Sequence, residues 1–189
     1  MRDMQTSRPA CDKFRIAQPK LKPGHMNEID DIETSLVSFI RQLEDTHSRF
    51  SELRKCSFFD PIPNQYLESI SRLTRICTFA PGDKLTREGD ATDTFYVVML
   101  GSTTVYCNGK RVGKITSGEC IGEGAFFNKA SRTATVVADD QVVAAELDRI
   151  TIEILRSDAR LKDYMDKALL IALFRKLQGA NQRIQELLD

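Results

Sequence analysis

The sequence predicts an α+β fold: a small antiparallel β-barrel, jelly-roll-like, flanked by N-terminal and C-terminal helices. Three observations predict it. From Ile76 to Leu147, short β-rich runs alternate with turn signals at close spacing. On either side of that stretch, apolar residues recur at steps of three and four, the period of an amphipathic helix. Inside it, Asn108-Gly109 separates Thr103–Cys107 from Lys110–Ile115. Both turn residues tolerate positive φ, so the pair marks a tight hairpin.

The elements follow in order. Residues 1–26 hold four prolines or glycines, mixed charge and few apolar side chains, and read as a flexible arm. Residues 27–55 read as one amphipathic helix. Its seam is Ile29, Ile32, Leu36, Phe39, Leu43, Thr46, Phe50 and Leu53. Such a seam packs either on its own domain or on a partner. Asp60-Pro61-Ile62-Pro63 ends it, and a short helix follows over Asn64–Leu73 with Asn64 as its cap. The barrel domain is assigned to residues 56–157. Its turns fall at Ala80–Asp83, Arg87–Asp90, Ser117-Gly118 and Asp139-Asp140. A helix over Arg149–Arg156 leads into a last one over 158–189. There Leu170, Leu173, Leu177, Ala180, Ile184 and Leu187 again alternate three and four, with Gly179 a weak point that costs about 1 kcal/mol relative to Ala.

Composition narrows the function. Lys+Arg and Asp+Glu both number 27, so the formal charge is zero. That argues against a broad nucleic-acid or anionic-membrane footprint. No apolar run approaches the roughly 18 residues of a membrane span, and the first 25 residues lack an apolar signal core. Cys11, Cys56, Cys77, Cys107 and Cys120 are odd in number and form no close pair. This argues against a zinc site or disulfide framework and for a reducing, cytoplasmic location. The only histidines, His25 and His47, precede the barrel. A metal-dependent barrel enzyme needs clustered His and carboxylate ligands, so no enzyme activity is expected.

The informative stretch is Gly122-Glu123-Gly124-Ala125, then Phe126 to Ser131, then Arg132-Thr133-Ala134-Thr135-Val136. Two glycines permit a sharp turn and a close backbone approach. A helical turn beginning at Glu123 offers free N–H groups to an anion. Arg132 can fork onto phosphate oxygens. Glu123 can accept from a hydroxyl but would repel a phosphate. Acid and base together suit a sugar phosphate, although a surface ion pair beside a turn explains the same residues.

Gly-Glu, eight intervening residues and Arg-Thr-Ala-Thr-Val resemble the phosphate-binding cassette of the cyclic-nucleotide-binding family. That family includes kinase regulatory subunits, catabolite activator proteins and cyclic-nucleotide-regulated channels. Phe58-Phe59, Phe79–Asp83, Glu88–Asp90, Phe95–Val98 and Gly101 fall in the family's order, so the resemblance spans residues 50–178. It implies a sensor that binds cAMP or cGMP and signals through its flanking helices. By position, Glu123 would accept from the ribose 2′-OH and Arg132 would pair with the cyclic phosphate. Gly122, Gly124 and Ala125 would line the cassette backbone, with Ala134 closing it. The Thr133 hydroxyl would reach phosphate or base, and Ile115 would face the base. The C-terminal helix would be the lid, contributing Leu169, Leu173 and Lys176. Two residues depart from the pattern: Ile121 replaces the usual aromatic, and Gly124 stands where a larger apolar residue is commoner.

The resemblance leaves the base open. Thr133 permits cGMP, whereas the lid candidates offer no carboxylate to guanine, which tilts the reading to cAMP. The output is expected to be a homodimer or an effector protein reached through the N- and C-terminal helices. Residues 1–50 hold no kinase-inhibitor run, and no DNA-reading segment follows the lid, so the chain reads as a stand-alone sensor or a fragment. A scaffold that keeps the fold but binds no nucleotide is the alternative.

Overall fold

The computed structural model describes residues 36–91, 94–124 and 131–188, the Leu187 side chain aside. The arm over 1–26, the seam residues Ile29 and Ile32, and Ala125 lie outside the described residues.

The first described segment departs from the single helix expected over 27–55. Residues 36–42 are helical, the chain turns at 43–45, and α1 then runs over Thr46–Arg54. The cause is local. Glu44 N bonds Arg41 O and Asp45 N bonds Gln42 O, which tightens the last turn to three-residue spacing. Asp45 then caps α1, its carboxylate accepting from Ser48 N at 2.8 Å. A 3₁₀ turn follows at Ser57–Phe59, then α2 over Asn64–Leu73. Pro63, not Asn64, holds the cap position of α2. Asn64 is already helical, and its Oδ1 accepts from Arg54 Nη1 at 3.3 Å.

Eight strands form two antiparallel sheets. They are β1 (Arg75–Phe79), β2 (Lys84–Thr86), β3 (Thr94–Leu100), β4 (Ser102–Cys107), β5 (Lys110–Thr116), β6 (Cys120–Ile121), β7 (Thr135–Ala138) and β8 (Val142–Asp148). One sheet has the order β1-β8-β3-β6 and the other β2-β7-β4-β5. The expected hairpin joins β4 to β5, with φ of 50° at Asn108 and 73° at Gly109. Residues of alternating parity on β3 serve two cores. Tyr96 and Val98 face the other sheet, with Phe79, Leu85, Ile115, Ile121 and Val136. Phe95, Val97 and Met99 face the helices. A strand buried on both faces reads as a continuous apolar run, as 94–100 does.

The helical core is built by Leu36, Ile40, Leu43 and Leu53 from the N-terminal side, Phe58, Phe59, Leu67 and Ile70 next, and Leu161, Met165 and Leu169 from the C-terminal side. Wherever it is described, the N-terminal seam therefore packs on its own domain, the first of the two alternatives its spacing left open. Arg49 reinforces this join, donating to Leu43 O, Ser71 O and Thr74 O at 2.9–3.2 Å.

After β8 come α3 (Arg149–Leu155) and α4 (Ala159–Leu188), the latter unbroken at Gly179. One face of the first part of α4 is buried, through Leu161, Met165, Ala168 and Leu169. Beyond Leu169 most of its large apolar residues turn to solvent, Leu170 being 68% and Leu177 58% exposed, while Ala172 still packs on the helical core.

Candidate functional site

The site lies where β6 ends. Gly122 follows Ile121 with φ of +87°, and Glu123 and Gly124 begin a helical turn. Gly122 is required for space as well as for conformation. A Cβ there would stand 1.7 Å from Arg132 Nη1. The two ends of the expected cassette, ten positions apart, thus meet in space.

Arg132 is held from several sides. Its backbone N donates to Asp90 O at 2.8 Å, and its carbonyl accepts from Gly89 N at 2.9 Å. Its Nη2 donates to the carbonyl and, at 3.1 Å, to the hydroxyl of Thr94. The side chain is buried, the residue only 5% exposed. Burial draws the guanidinium below its ordinary pKa, while Tyr96, Glu123 and Asp90 pull it back. An arginine remains charged through any such shift, so this is a fixed buried cation. Tyr96 beside it is buried too, and burial drives its phenol well above the usual range.

Glu123 is also buried. Its Oε1 accepts from Lys176 Nζ of α4 at 2.6 Å, and the same ammonium donates to Cys120 O at 2.8 Å. Burial pushes the Cys120 thiol up to about 12. A cleft lined by Ser57, Gly118 and Arg175 runs between α4 and the chain before the site, and Lys176 reaches across its edge.

The other expected residues distribute as follows. Ile115 and Ile121 are buried between the sheets. Among the described residues, nothing lies within 4 Å of where a Cβ on Gly124 would stand. Ala134 is half-buried, and its carbonyl accepts from Thr86 Oγ1 at 3.1 Å. Thr133 is exposed, out of phase with buried Arg132 and Val136. Leu169 is sunk in the helical core, and Leu173 is 39% exposed. Of the three lid candidates, Lys176 alone is brought onto the cassette by a hydrogen bond. Thr94, Asp90 and Tyr96 also act on Arg132; in the sequence Asp90 and Tyr96 mark only the family's order, and none of the three is expected in the site. Thr94 opens an apolar run and looks like a strand residue, so nothing in its local pattern announces the contact.

These features define a class: a β-sandwich module in which a glycine-flanked acid and a buried arginine converge beside a C-terminal helix. Residues 76–158 match the family model of the cyclic nucleotide-binding domain. Among relatives, the cGMP-dependent protein kinase of Eimeria tenella is 33% identical over 65% of this chain and 12% of its own length. The cAMP-dependent protein kinase regulatory subunit of Neurospora crassa is 41% identical over 38% of this chain and 22% of its own. Among solved structures, the regulatory subunit of a cAMP-independent protein kinase A from Trypanosoma brucei is 25% identical. It aligns over 79% of this chain and 50% of that one, with a TM-score of 0.60. This chain spans from 10% to 22% of the length of the curated relatives first matched. Among the described residues, no helix is long and apolar enough to cross a membrane.

Proposed function

We propose that this chain is a cyclic nucleotide sensor module that binds cAMP or cGMP at the 122–134 cassette and passes the signal through its flanking helices. The observation that carries the reading is the packing of the buried Arg132 guanidinium on Gly122, beside Glu123. Arg132 pairs with the cyclic phosphate, a bidentate task suited to a planar, permanently charged group. Glu123 accepts from the ribose 2′-OH. Gly122, Gly124 and Ala125 bring backbone to the ligand, and Ile115 lies against the base from inside the sandwich. The module is regulatory and carries out no reaction of its own. It acts in the cytoplasm, and a second copy or an effector binds the exposed apolar seam of α4.

The favoured base is adenine. Thr133, the residue that would select guanine, is exposed, and Leu169, Leu173 and Lys176 present no carboxylate to guanine donors. Leaving such donors unpaired costs about 1–3 kcal/mol. The scaffold reading is kept as a second one because a relative of like fold is named as cAMP-independent. Calorimetric titration with cAMP and cGMP decides between them. Binding of either nucleotide supports the sensor, and heatless titrations with both support the scaffold. In the same experiment Thr133→Ala leaves the base preference unchanged. A wild type preferring cGMP more than about tenfold, with that preference lost in Thr133→Ala, overturns the adenine assignment.

A further inference from the structure

Glu123 poses a problem for a site that takes a phosphodiester. Its carboxylate is needed for a hydroxyl, yet it sits near the anion. Arg132 and Glu123 alone cancel, and a cyclic phosphate brings one further negative charge. The structure adds a third member. Lys176 Nζ lies 2.6 Å from Glu123 Oε1 and 2.8 Å from Cys120 O. Both acceptors belong to residues within two positions of Gly122, the residue on which Arg132 packs. With Lys176 included, the trio carries one net positive charge, the complement of a monoanionic phosphodiester; Asp90, the other carboxylate acting on Arg132, is exposed, so solvent screens it. The ammonium engages one oxygen of Glu123, fixing the direction of the other.

Lys176 also matters to α4. Past Leu169 the apolar residues of that helix, Leu170, Phe174 and Leu177, face solvent. Ala172 still packs on the helical core, and beyond it the described contacts that join α4 to the sandwich are polar. Lys176 ties it to the cassette, and Arg183 Nη1 donates to Val112 O on β5. Gly113 beside it leaves the room: a Cβ there would meet the Arg183 guanidinium at 2.5 Å. The distal helix is therefore held across the sandwich by two cations, one of them at the ligand site.

We propose that Lys176 is a positioning residue that balances the charge of the cassette, orients Glu123 and couples docking of α4 to nucleotide occupancy. This inference rests on the cyclic nucleotide reading. Because coupling is reciprocal, a contact that aids nucleotide binding when α4 is docked makes the nucleotide hold α4 down.

The test compares Lys176→Met, Lys176→Arg and Arg183→Met with wild type in the whole chain. Two quantities are read: affinity for cAMP, cGMP and their 2′-deoxy forms, and amide hydrogen exchange across residues 170–186. The Lys176–Glu123 pair is partly solvated, so the effect is modest. Lys176→Met should weaken the ribonucleotides about threefold to tenfold. It should also lower discrimination against the 2′-deoxy form and speed exchange in distal α4. Lys176→Arg should recover most of each loss. Arg183→Met should speed exchange yet keep the 2′-deoxy discrimination, since it does not touch Glu123. A loss below about twofold in Lys176→Met, or tighter binding, overturns the proposal, tighter binding marking Lys176 as a competitor of the ligand. Unchanged 2′-deoxy discrimination overturns the positioning role. If wild type binds neither nucleotide, the sensor reading fails by itself. Exchange in the ligand-free proteins then still tests the tether, and equal exchange in wild type and Lys176→Met removes it.

Discussion

The two ends of this chain carry the same pattern and meet opposite fates. Leu36, Leu43 and Leu53 on the N-terminal side, and Leu170, Leu177 and Ile184 on the C-terminal side, recur at helical spacing. The first set is sealed within the helical core, Leu43 to 1% exposure, while the second faces solvent. Periodicity specifies an apolar stripe but not what covers it. The difference arises from what each stripe meets. The N-terminal helices bend back at Asp45 and lie against the 3₁₀ turn and α2, where Phe59, Leu67 and Ile70 await them. The distal half of α4 runs past the end of that core and is fastened by Lys176 and Arg183 instead.

The contrast is sharpest under matched substitutions. Leu43→Glu places a carboxylate in a sealed apolar site and should cost about 3 kcal/mol or more of stability. Leu177→Glu, on the exposed stripe, should stay within about 0.5 kcal/mol. Urea unfolding followed by circular dichroism measures both. Equal losses in the two variants would erase the distinction drawn between the ends. Light scattering at micromolar concentration adds the other half. Leu177→Glu should abolish any self-association of the wild type while leaving nucleotide affinity intact. Association that survives the change would move the interface away from α4.

A smaller effect concerns the cassette. Gly124 has a helical backbone, and among the described residues nothing stands within 4 Å of where its Cβ would be. Gly124→Ala should raise stability by up to about 1 kcal/mol, read as a shift of the urea midpoint. A destabilised variant would show that the glycine is needed for approach rather than merely tolerated.

Much of this was legible in the residues. The sandwich could be read from closely spaced turns, because each reversal is written locally, as at Asn108-Gly109. The convergence of Glu123 and Arg132 could be read through family resemblance, since both lie in one short stretch. Three things could not. The break at 43–45 is masked by a seam that keeps its period across it, although Asp45, three residues before Ser48, is a cap signal in plain view. Thr94 and Tyr96 reach Arg132 only through sheet pairing, which no local pattern records. Lys176 was legible as a lid residue, but its partner Glu123 lies 53 positions away, and that pairing is a product of how α4 is laid down.

The account stands on Arg132 as the phosphate partner, and one titration tests it most directly. Wild type and Arg132→Ala are each titrated calorimetrically with the nucleotide that wild type binds best, after circular dichroism has shown that the variant is folded. Removing one partner of a buried charged pair should weaken binding by roughly 2–5 kcal/mol, on the order of 30-fold to several thousand-fold. A folded Arg132→Ala variant that binds within about threefold of wild type would contradict the account, because the buried cation at Gly122 would then have no part in holding the ligand.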